Sequence, residues 1–204
     1  MFILADKDRI LELAKRRKTA RVFSKRKISI HDILYCVSTA IQAPSGANAQ
    51  PWRFMIIDDS QTLIHIRTEC EKQEKKFHET VKKDLKEWFK AKGITYHKPF
   101  LTEAPLLLVI FSDQTMPYAT ESIWLLIGYL LLSLEEMGFS TLTYTPSFPG
   151  KVGKILHAPK NYKLEVVLPI GYSADSKPKE ERKLLESLVY YNVWGNNLKH
   201  KYKN

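Results

Sequence analysis

Residues 121–137 form a segment that is apolar on nearly every helical face and ends at Gly138, a residue type that commonly terminates helices. The longest apolar run inside it, residues 123–134, is well short of the ~20 residues that span a bilayer. A helix at the protein surface would show a polar face, so this one must be covered by protein all round. We expect it at the centre of the fold or in a dimer interface, with no membrane contact.

Short strand-like runs alternate with helical patterns along the chain. The predicted strands are Trp52–Ile57 and residues 106–112, 140–144 and 164–168. Further predicted helices cover residues 9–18, the stretch from an N-cap at Ser29 to the turn at residues 43–46, and residues 151–156. This order predicts an α+β fold, built as an α/β sandwich with a central mixed sheet flanked by helices.

Between the first two strands lies a highly charged stretch whose apolar residues recur at helical spacing. Those residues are Phe77, Val81, Leu85, Trp88 and Phe89. A single apolar stripe on a charged helix indicates that the stripe packs on the rest of the protein. We therefore predict one amphipathic helix here.

Large aromatic side chains, among them Tyr190, Tyr191 and Trp194, lie near the end of the sequence. Such side chains need a surface to cover. They either fold back on their own subunit or form an arm, about residues 188–204, that embraces a second copy of the chain.

With 204 residues and 44% hydrophobic content, the chain is long enough for one domain with a substantial core, residues 1–204. Cys36 and Cys70 are too few for a disulfide framework and lack metal-ligand spacing, which favours a cytoplasmic protein without a metal. The net charge of +10 suits a partner that carries phosphate. However, basic and acidic residues are interleaved and no nucleic-acid-binding motif occurs, which argues against nucleic acid as that partner.

The most informative polar cluster is RRKTAR, residues 16–21, at the end of the first predicted helix. Arg17, Lys18 and Arg21 put three cations within one or two turns, with the Thr19 hydroxyl between them. Such a group can bind a dianionic phosphate through charge-assisted hydrogen bonds. Taken alone, it is also compatible with a solvated basic helix end that complements the helix dipole.

A second motif, APSGANAQPW at residues 43–52, joins Pro, Ser and Gly in a tight turn after the second predicted helix. This composition exposes backbone N–H groups and lets a flat ligand approach the main chain. Together the two segments resemble the nitroreductase family, in which an Arg-rich segment and an APSG-N-QPW turn both hold FMN. The resemblance extends through FLTEAPLLLVIF, GFSTLTYTP and LEVVLPIGY. It is strongest for the iodotyrosine deiodinase branch.

The resemblance implies a role for each residue of these motifs. Contacts to the FMN phosphate and ribityl chain are implied for Arg17, Lys18, Thr19, Arg21 and the late Arg182. The residues implied to line the flavin ring of the partner subunit are Pro44, Ser45 and Gly46, with Ala47 near the substrate. TYTP matches the deiodinase Thr-Thr-Thr-Pro, with Tyr144 as a departure, and implies cofactor contacts for Thr143, Tyr144 and Thr145.

Thr145 is implied to be the catalytic hydroxyl, facing N5 of the flavin. A hydroxyl there can accept a hydrogen bond from N5–H after one-electron reduction, which favours one-electron steps over pure hydride transfer. Without the resemblance, a Thr before a Pro at a strand end is more often structural.

Deiodinases clamp the zwitterion of an amino acid with a helical lid, which the resemblance places at about residues 61–98. Glu74, His78 and Lys98 fall at the places of the family's Glu, Tyr and Lys, and a spacing of four puts Glu74 and His78 on one helical face. An ungapped alignment instead puts Phe77 at the aromatic position and Gln73 or Glu74 at the acid. In a third interpretation, Glu74 and Lys98 are ordinary surface charges.

The implied protein is an intertwined homodimer and an FMN-dependent NAD(P)H oxidoreductase that reduces halogenated or nitro aromatics in a deiodinase-like manner. A broad quinone or nitro reductase and a flavin-cleaving relative, which shares the turn, are the nearest alternatives. A non-catalytic basic protein that binds flavin or nucleic acid belongs to a different class, and the charge is its sole indication.

Overall fold

The structure, a computed structural model, describes residues 8–197. Its helices are α1 (Arg9–Arg16), α2 (Ile30–Ala40), α3 (Ser60–Thr80), α4 (Lys83–Ala91), α5 (Phe100–Glu103), α6 (Ala119–Glu136) and α7 (Pro149–Ile155). Its strands are β1 (Trp52–Ile57), β2 (Leu106–Asp113), β3 (Ser140–Thr141) and β4 (Tyr162–Gly171). Short 3₁₀ turns lie at Gly46–Asn48 and Leu185–Ser187.

The strands form a sheet in the order β1, β2, β4, β3, and each of these three pairings is antiparallel. β2 is buried along its whole length, and its side chains alternate between two apolar layers. Leu107, Val109 and Phe111 face a cluster that includes α3, α5 and α7, whereas Leu108 and Ile110 face α2 and α6. Helices therefore cover both faces of the sheet, which confirms the α+β sandwich.

The segment after α1 runs beside β3 and then beside the chain that follows β4. Thr19 forms a parallel bridge with Thr141, and this bridge is the parallel component of the expected mixed sheet within the described residues. Phe23 forms an antiparallel bridge with Ser173. These pairings bring RRKTAR next to the chain that leaves the sheet.

β3 is shorter than predicted because its ladder with β4 is interrupted. After β3 ends at Thr141, the chain pairs with β4 again at Tyr144, which exchanges two backbone hydrogen bonds with Val167. On this register Leu142 stands opposite Pro169, which has no N–H to donate. The predicted five-residue strand is therefore two residues and an isolated bridge.

The single amphipathic helix predicted around Phe77 and Phe89 is wrong, because the chain breaks into α3 and α4. Val81 and Lys82 both have extended backbone angles. In one straight helix, at 1.5 Å per residue, Phe77 and Phe89 would lie about 18 Å apart. The break brings their ring centroids to 6.3 Å, and the Phe89 ring stacks on His78 at 4.6 Å. Aromatic packing thus favours the bent arrangement.

The apolar helix α6 buries one face against the sheet and α2, as its composition predicts. Its opposite face is also apolar but stays open, with Trp124, Leu125 and Tyr129 exposed by 43%, 51% and 44%. Within residues 8–197, no helix is long and apolar enough to cross a membrane.

Among the described aromatic side chains near the end of the chain, Trp194 is not covered by its own subunit. Tyr190 and Tyr191 are partly exposed, and Trp194 is 89% exposed. Residues 198–204 of the predicted arm lie outside the described residues. Within the described residues, Trp194 therefore offers an uncovered aromatic surface.

Candidate active site

The RRKTAR segment is fastened to the chain that follows β4. Lys18 Nζ donates hydrogen bonds to the carbonyl oxygens of Asp175 (2.7 Å) and Lys177 (2.6 Å). The Asp175 carboxylate accepts a hydrogen bond from the backbone N–H of Arg21 at 2.9 Å. Two of the three N–H groups of the Lys18 ammonium therefore bind backbone carbonyl oxygens. The third N–H is the one left for the expected contact with the phosphate.

Lys179 brings Arg182 to the end of α1, where Arg17 also lies. Lys179 Nζ donates hydrogen bonds to the carbonyl oxygens of Ala14 and Lys15 in the last turn of α1, the latter at 2.8 Å. Partial burial lowers the pKa of Lys179, the nearby charges of Arg182 and Arg17 lower it further, and the charge of Glu135 opposes this effect. Arg17 and Arg182 thus both act electrostatically on Lys179, which groups the three cations at the end of α1.

The cluster of Arg17, Lys179 and Arg182 forms no ion pair with a described carboxylate. None of the described carboxylates lies within salt-bridge distance of these three side chains. Arg182 donates instead to the carbonyl oxygens of Glu180 and Glu181. Three cations held together without a directly paired carboxylate are suited to an anionic ligand.

The APSGANAQPW turn carries backbone strain. Ala47, Asn48 and Gln50 all have φ near +50°, a left-handed conformation that is uncommon for residues other than Gly. The turn is held by a hydrogen bond from the backbone N–H of Gln50 to Ser45 Oγ, at 3.1 Å. Pro44 and Ala47 are exposed, whereas Ser45 is half-buried. Strain of this kind often marks a ligand-binding turn.

Gly46 lies where a side chain would not fit. A Cβ at this position would come within 2.6 Å of the Tyr118 ring. The backbone N–H of Gly46 donates to Ser122 Oγ at 3.2 Å, which fastens the turn to the first part of α6. Among described residues, no hydrogen bond or ion pair joins this turn to the cation cluster.

The TYTP segment presents its residues on alternate sides. Thr143 and Thr145 are exposed, whereas Tyr144 is buried, with its ring packed edge-on against Phe100. The Tyr144 hydroxyl donates a hydrogen bond to Glu74 Oε1 at 3.1 Å. This corrects the expected cofactor contact of the Tyr144 side chain, because the extended backbone directs it away from the exposed threonines. Burial raises the pKa of Tyr144, which therefore acts as a neutral donor.

The predicted lid residues Glu74, His78 and Lys98 do come together. Lys98 Nζ lies 3.7 Å from Glu74 Oε2 and donates to the carbonyl oxygen of Thr95 at 2.6 Å. Burial lowers the pKa of Lys98, Glu74 opposes this effect, and the charge of Arg21 contributes a weaker lowering. The interpretation of Glu74 and Lys98 as surface charges is wrong, since both side chains are buried.

The Glu74 carboxylate is largely occupied by the protein. Besides Tyr144, its Oε1 accepts hydrogen bonds from the backbone N–H and the hydroxyl of Ser147, at 3.1 and 2.8 Å. Glu74 therefore joins α3 to the segment that carries Thr145. In this structure the two charges expected to clamp a zwitterion neutralise each other instead.

The two candidates for the lid aromatic residue, Phe77 and His78, both pack on Phe89. Burial lowers the pKa of His78, and Lys98 contributes to the same direction. The alternative acid position, Gln73, is buried and donates to Glu69 Oε1 at 2.5 Å. Phe77 and His78 therefore both stay predictions for the aromatic residue of the lid.

Lys179 and Glu165 are functional candidates that sequence reasoning missed. Lys179 lies in the charged stretch KPKEER, residues 177–182, where no pattern separates it from its neighbours. Glu165 is an acid inside the apolar run LEVVLPIG, and this isolated charge was the available signal. Among described residues, no group of His, Cys, Asp and Glu side chains is arranged to hold a metal ion.

The nitroreductase family model matches residues 14–172. The iodotyrosine deiodinase of Thermotoga neapolitana is 48% identical over 185 residues, which cover 91% of this chain and 98% of that protein. The iodotyrosine deiodinase of Haliscomenobacter hydrossis is 36% identical over 78% of this chain and 77% of its own length. A crystal structure of oxidised iodotyrosine deiodinase bound to FMN and 3-iodo-L-tyrosine superposes with a TM-score of 0.87, at 48% identity, over 91% of this chain and all of that one.

This chain belongs to the nitroreductase family. Both curated relatives described above are iodotyrosine deiodinases, so the expected resemblance to that branch is also confirmed. The expectation of a reductive enzyme of this family is confirmed with it.

Proposed function

We propose that this chain binds FMN and reduces halogenated or nitro aromatic compounds in a deiodinase-like manner. The convergence of Arg17, Lys179 and Arg182, none of which forms an ion pair with a described carboxylate, carries the proposal. The phosphate of FMN would supply a directly bound anion through charge-assisted hydrogen bonds. The 48% identity to a deiodinase that binds FMN in its crystal structure supports the same cofactor.

The remaining motifs suit a flavin ring. The exposed hydroxyls of Thr143 and Thr145 provide polar contacts, and the Pro44 to Gly46 turn offers a surface with little side-chain bulk. FMN, when bound, supplies the redox chemistry, with NAD(P)H as the proposed reductant. The protein binds the phosphate, orients the ring and holds the Thr145 hydroxyl in place.

A homodimer would complete the site. The open face of α6 and the side chain of Trp194 are exposed apolar surfaces, which a partner would bury. A second copy of the chain is the proposed partner. In this arrangement the Pro44 to Ala47 turn of one subunit contacts the flavin of the other. Cys36 and Cys70 are both unpaired thiols, which suits a cytoplasmic location.

For the substrate, we propose a small aromatic amino acid held by Glu74, His78 and Lys98. On lid closure, Glu74 and Lys98 would separate from each other. Glu74 would then pair with the ammonium group of the ligand, and Lys98 with its carboxylate. The internal pairing at 3.7 Å favours a second candidate as well, a broad nitro or quinone reductase without an amino-acid clamp. The two differ in whether the zwitterion contributes to binding.

Comparing FMN with riboflavin tests the cofactor assignment, because the two differ by the phosphate alone. Apoprotein titrated with each flavin should bind FMN far more tightly. Arg17→Ala and Arg182→Ala should each weaken FMN binding by about 1.5 to 3 kcal/mol while leaving riboflavin binding unchanged. Arg21→Ala should also weaken FMN retention. Lys160→Ala, an exposed cation elsewhere, is the control.

The loaded protein should be yellow, bleach with NAD(P)H and release halide from 3-iodotyrosine. A colourless protein that cannot be reconstituted with FMN would overturn the proposal. Equal affinity for FMN and riboflavin would remove the phosphate role of the cation cluster.

A further inference from the structure

Strand β4 contains a bulge at Glu165. The pairing with β2 passes from Ile110 opposite Val166 to Phe111 opposite Leu164, so Glu165 has no partner on β2. An unpaired residue of this kind bends the strand and turns its backbone groups out of the ladder. Bulges are over-represented next to active sites, where they direct groups toward a ligand.

The carbonyl oxygen of Glu165 receives no backbone hydrogen bond from the residue opposite, because that residue is a proline. On the register set by Tyr144 and Val167, the residue opposite Glu165 is Pro146, which has no N–H to donate. The Thr145 hydroxyl takes this place and donates to the Glu165 carbonyl oxygen at 3.4 Å. The position of that carbonyl therefore determines the direction of the Thr145 hydroxyl proton.

The side chain of Glu165 holds the bulge in place. Glu165 is 4% exposed, and its Oε1 accepts hydrogen bonds from Ser112 Oγ at 2.6 Å and Thr120 Oγ1 at 2.7 Å. Its Oε2 accepts from Lys163 Nζ at 3.1 Å. The carboxylate thus joins the end of β2 to the first turn of α6, directly beside the bulge.

We propose that Glu165 is a positioning residue for the Thr145 hydroxyl, a role that rests on the proposed contact of Thr145 with the flavin. Because the hydroxyl proton is committed to the Glu165 carbonyl, the lone pairs of Thr145 Oγ1 point outward. Thr145 then acts as an oriented acceptor toward a donor group such as N5–H. Without the carboxylate clamp, the bulge relaxes and the hydroxyl rotates freely between donor and acceptor roles.

The test measures the separation of the two one-electron reduction potentials of FMN bound to the holoenzyme. Thr145→Ala should lower the equilibrium share of one-electron-reduced flavin roughly tenfold, as expected for the loss of one net hydrogen bond. Thr145→Ser should retain that share. Glu165→Ala should reproduce most of the Thr145→Ala loss, although Thr145 itself is intact.

Thr120→Val is the second variant, since it removes one donor to Glu165 without changing a core residue. Its matched control is Thr115→Val, because Thr115 Oγ1 donates at the same 2.7 Å distance to a different carboxylate, that of Asp113. We expect Thr120→Val to lower the share of one-electron-reduced flavin and Thr115→Val to leave it unchanged. Melting temperatures recorded in parallel separate this effect from general destabilisation.

The outcomes distinguish the inference from the function on which it rests. If Thr145→Ala lowers the share but Glu165→Ala and Thr120→Val do not, Glu165 has no positioning role and the proposed contact of Thr145 stands. If Thr145→Ala has no effect on bound FMN, the proposed contact itself is wrong, and the role of Glu165 is wrong with it.

Discussion

The Glu74 carboxylate and the Lys98 ammonium form an ion pair inside the chain, with 3.7 Å between Oε2 and Nζ and 9% of each side chain exposed. A buried charge without a partner is strongly destabilising, so each of these residues offsets the cost of burying the other. A zwitterionic substrate would have to replace this one internal pair with two pairs of its own. The ion pair therefore links the stability of the lid to its binding role.

Glu74→Gln should lower the free energy of unfolding by about 3 to 5 kcal/mol, because it leaves Lys98 buried without a counter-charge. The double variant Glu74→Gln/Lys98→Met should recover most of this loss, since it removes the unpaired charge. Urea unfolding followed by tryptophan fluorescence, at one fixed protein concentration, measures both effects.

The chain offers a control in the exposed pair of Lys83 and Glu87, at 4.0 Å on α4. Glu87→Gln should change the free energy of unfolding by less than about 1 kcal/mol. If Glu74→Gln costs no more than Glu87→Gln, the buried pair does not stabilise the lid.

Features that depend on local sequence were predictable. The strand Trp52–Ile57 has the predicted bounds, and Ser29 caps α2 by accepting a hydrogen bond from the backbone N–H of His31. The apolar helix α6 was also predictable, because an apolar composition of this kind requires a face that packs in the core. In each case the residues that determine the element lie inside it or next to it.

Features that depend on distant partners were not predictable. The direction of the Tyr144 side chain follows from its pairing with Val167, and Lys179 acquires its place by folding back on the carbonyl end of α1. The break at Val81 follows from packing between Phe89 and His78. Periodicity cannot indicate such contacts, because it describes one element at a time.

Acidification should destabilise the fold through His78. Burial lowers the pKa of His78, and Lys98 adds to this while Glu74 opposes it; Phe89 covers one ring face. Between the lowered pKa and the unfolded value of about 6.5, the unfolded chain binds more protons than the folded one. The stability contribution is therefore complete above about pH 6.5 and is lost as the pH falls through the folded pKa.

Denaturant unfolding at about pH 7.5 and about pH 5.5 measures this effect around the titration range of histidine. His78→Gln should reduce the difference between the two pH values. His65→Gln, an exposed histidine on the same helix, should not. An unchanged difference in His78→Gln would assign the pH dependence to other groups.

Trp124→Glu should dissociate the proposed homodimer, because it puts a charge on the open apolar face of α6. Truncation before Leu188 should have the same effect, and both changes should lower FMN retention, since each flavin would need both subunits. Sedimentation velocity at nanomolar concentration measures the assembly. Trp88→Glu, which changes an exposed Trp on α4, is the matched control. A wild-type monomer that holds FMN would contradict the prediction directly.

Oxidised enzyme should bind a halogenated tyrosine more tightly than the matching halophenol, which lacks the zwitterion. Two ligand ion pairs replace one internal pair, so the net gain should approach one charged hydrogen bond, about 1.5 to 3 kcal/mol or roughly 10- to 100-fold in affinity. Glu74→Gln and Lys98→Ala should each reduce this preference, whereas Lys76→Ala, an exposed cation on the same helix as Glu74, should not. Titration of flavin fluorescence with both ligands measures all four proteins. Equal binding of the phenol, or a preference that survives both lid substitutions, would favour the broad nitro or quinone reductase.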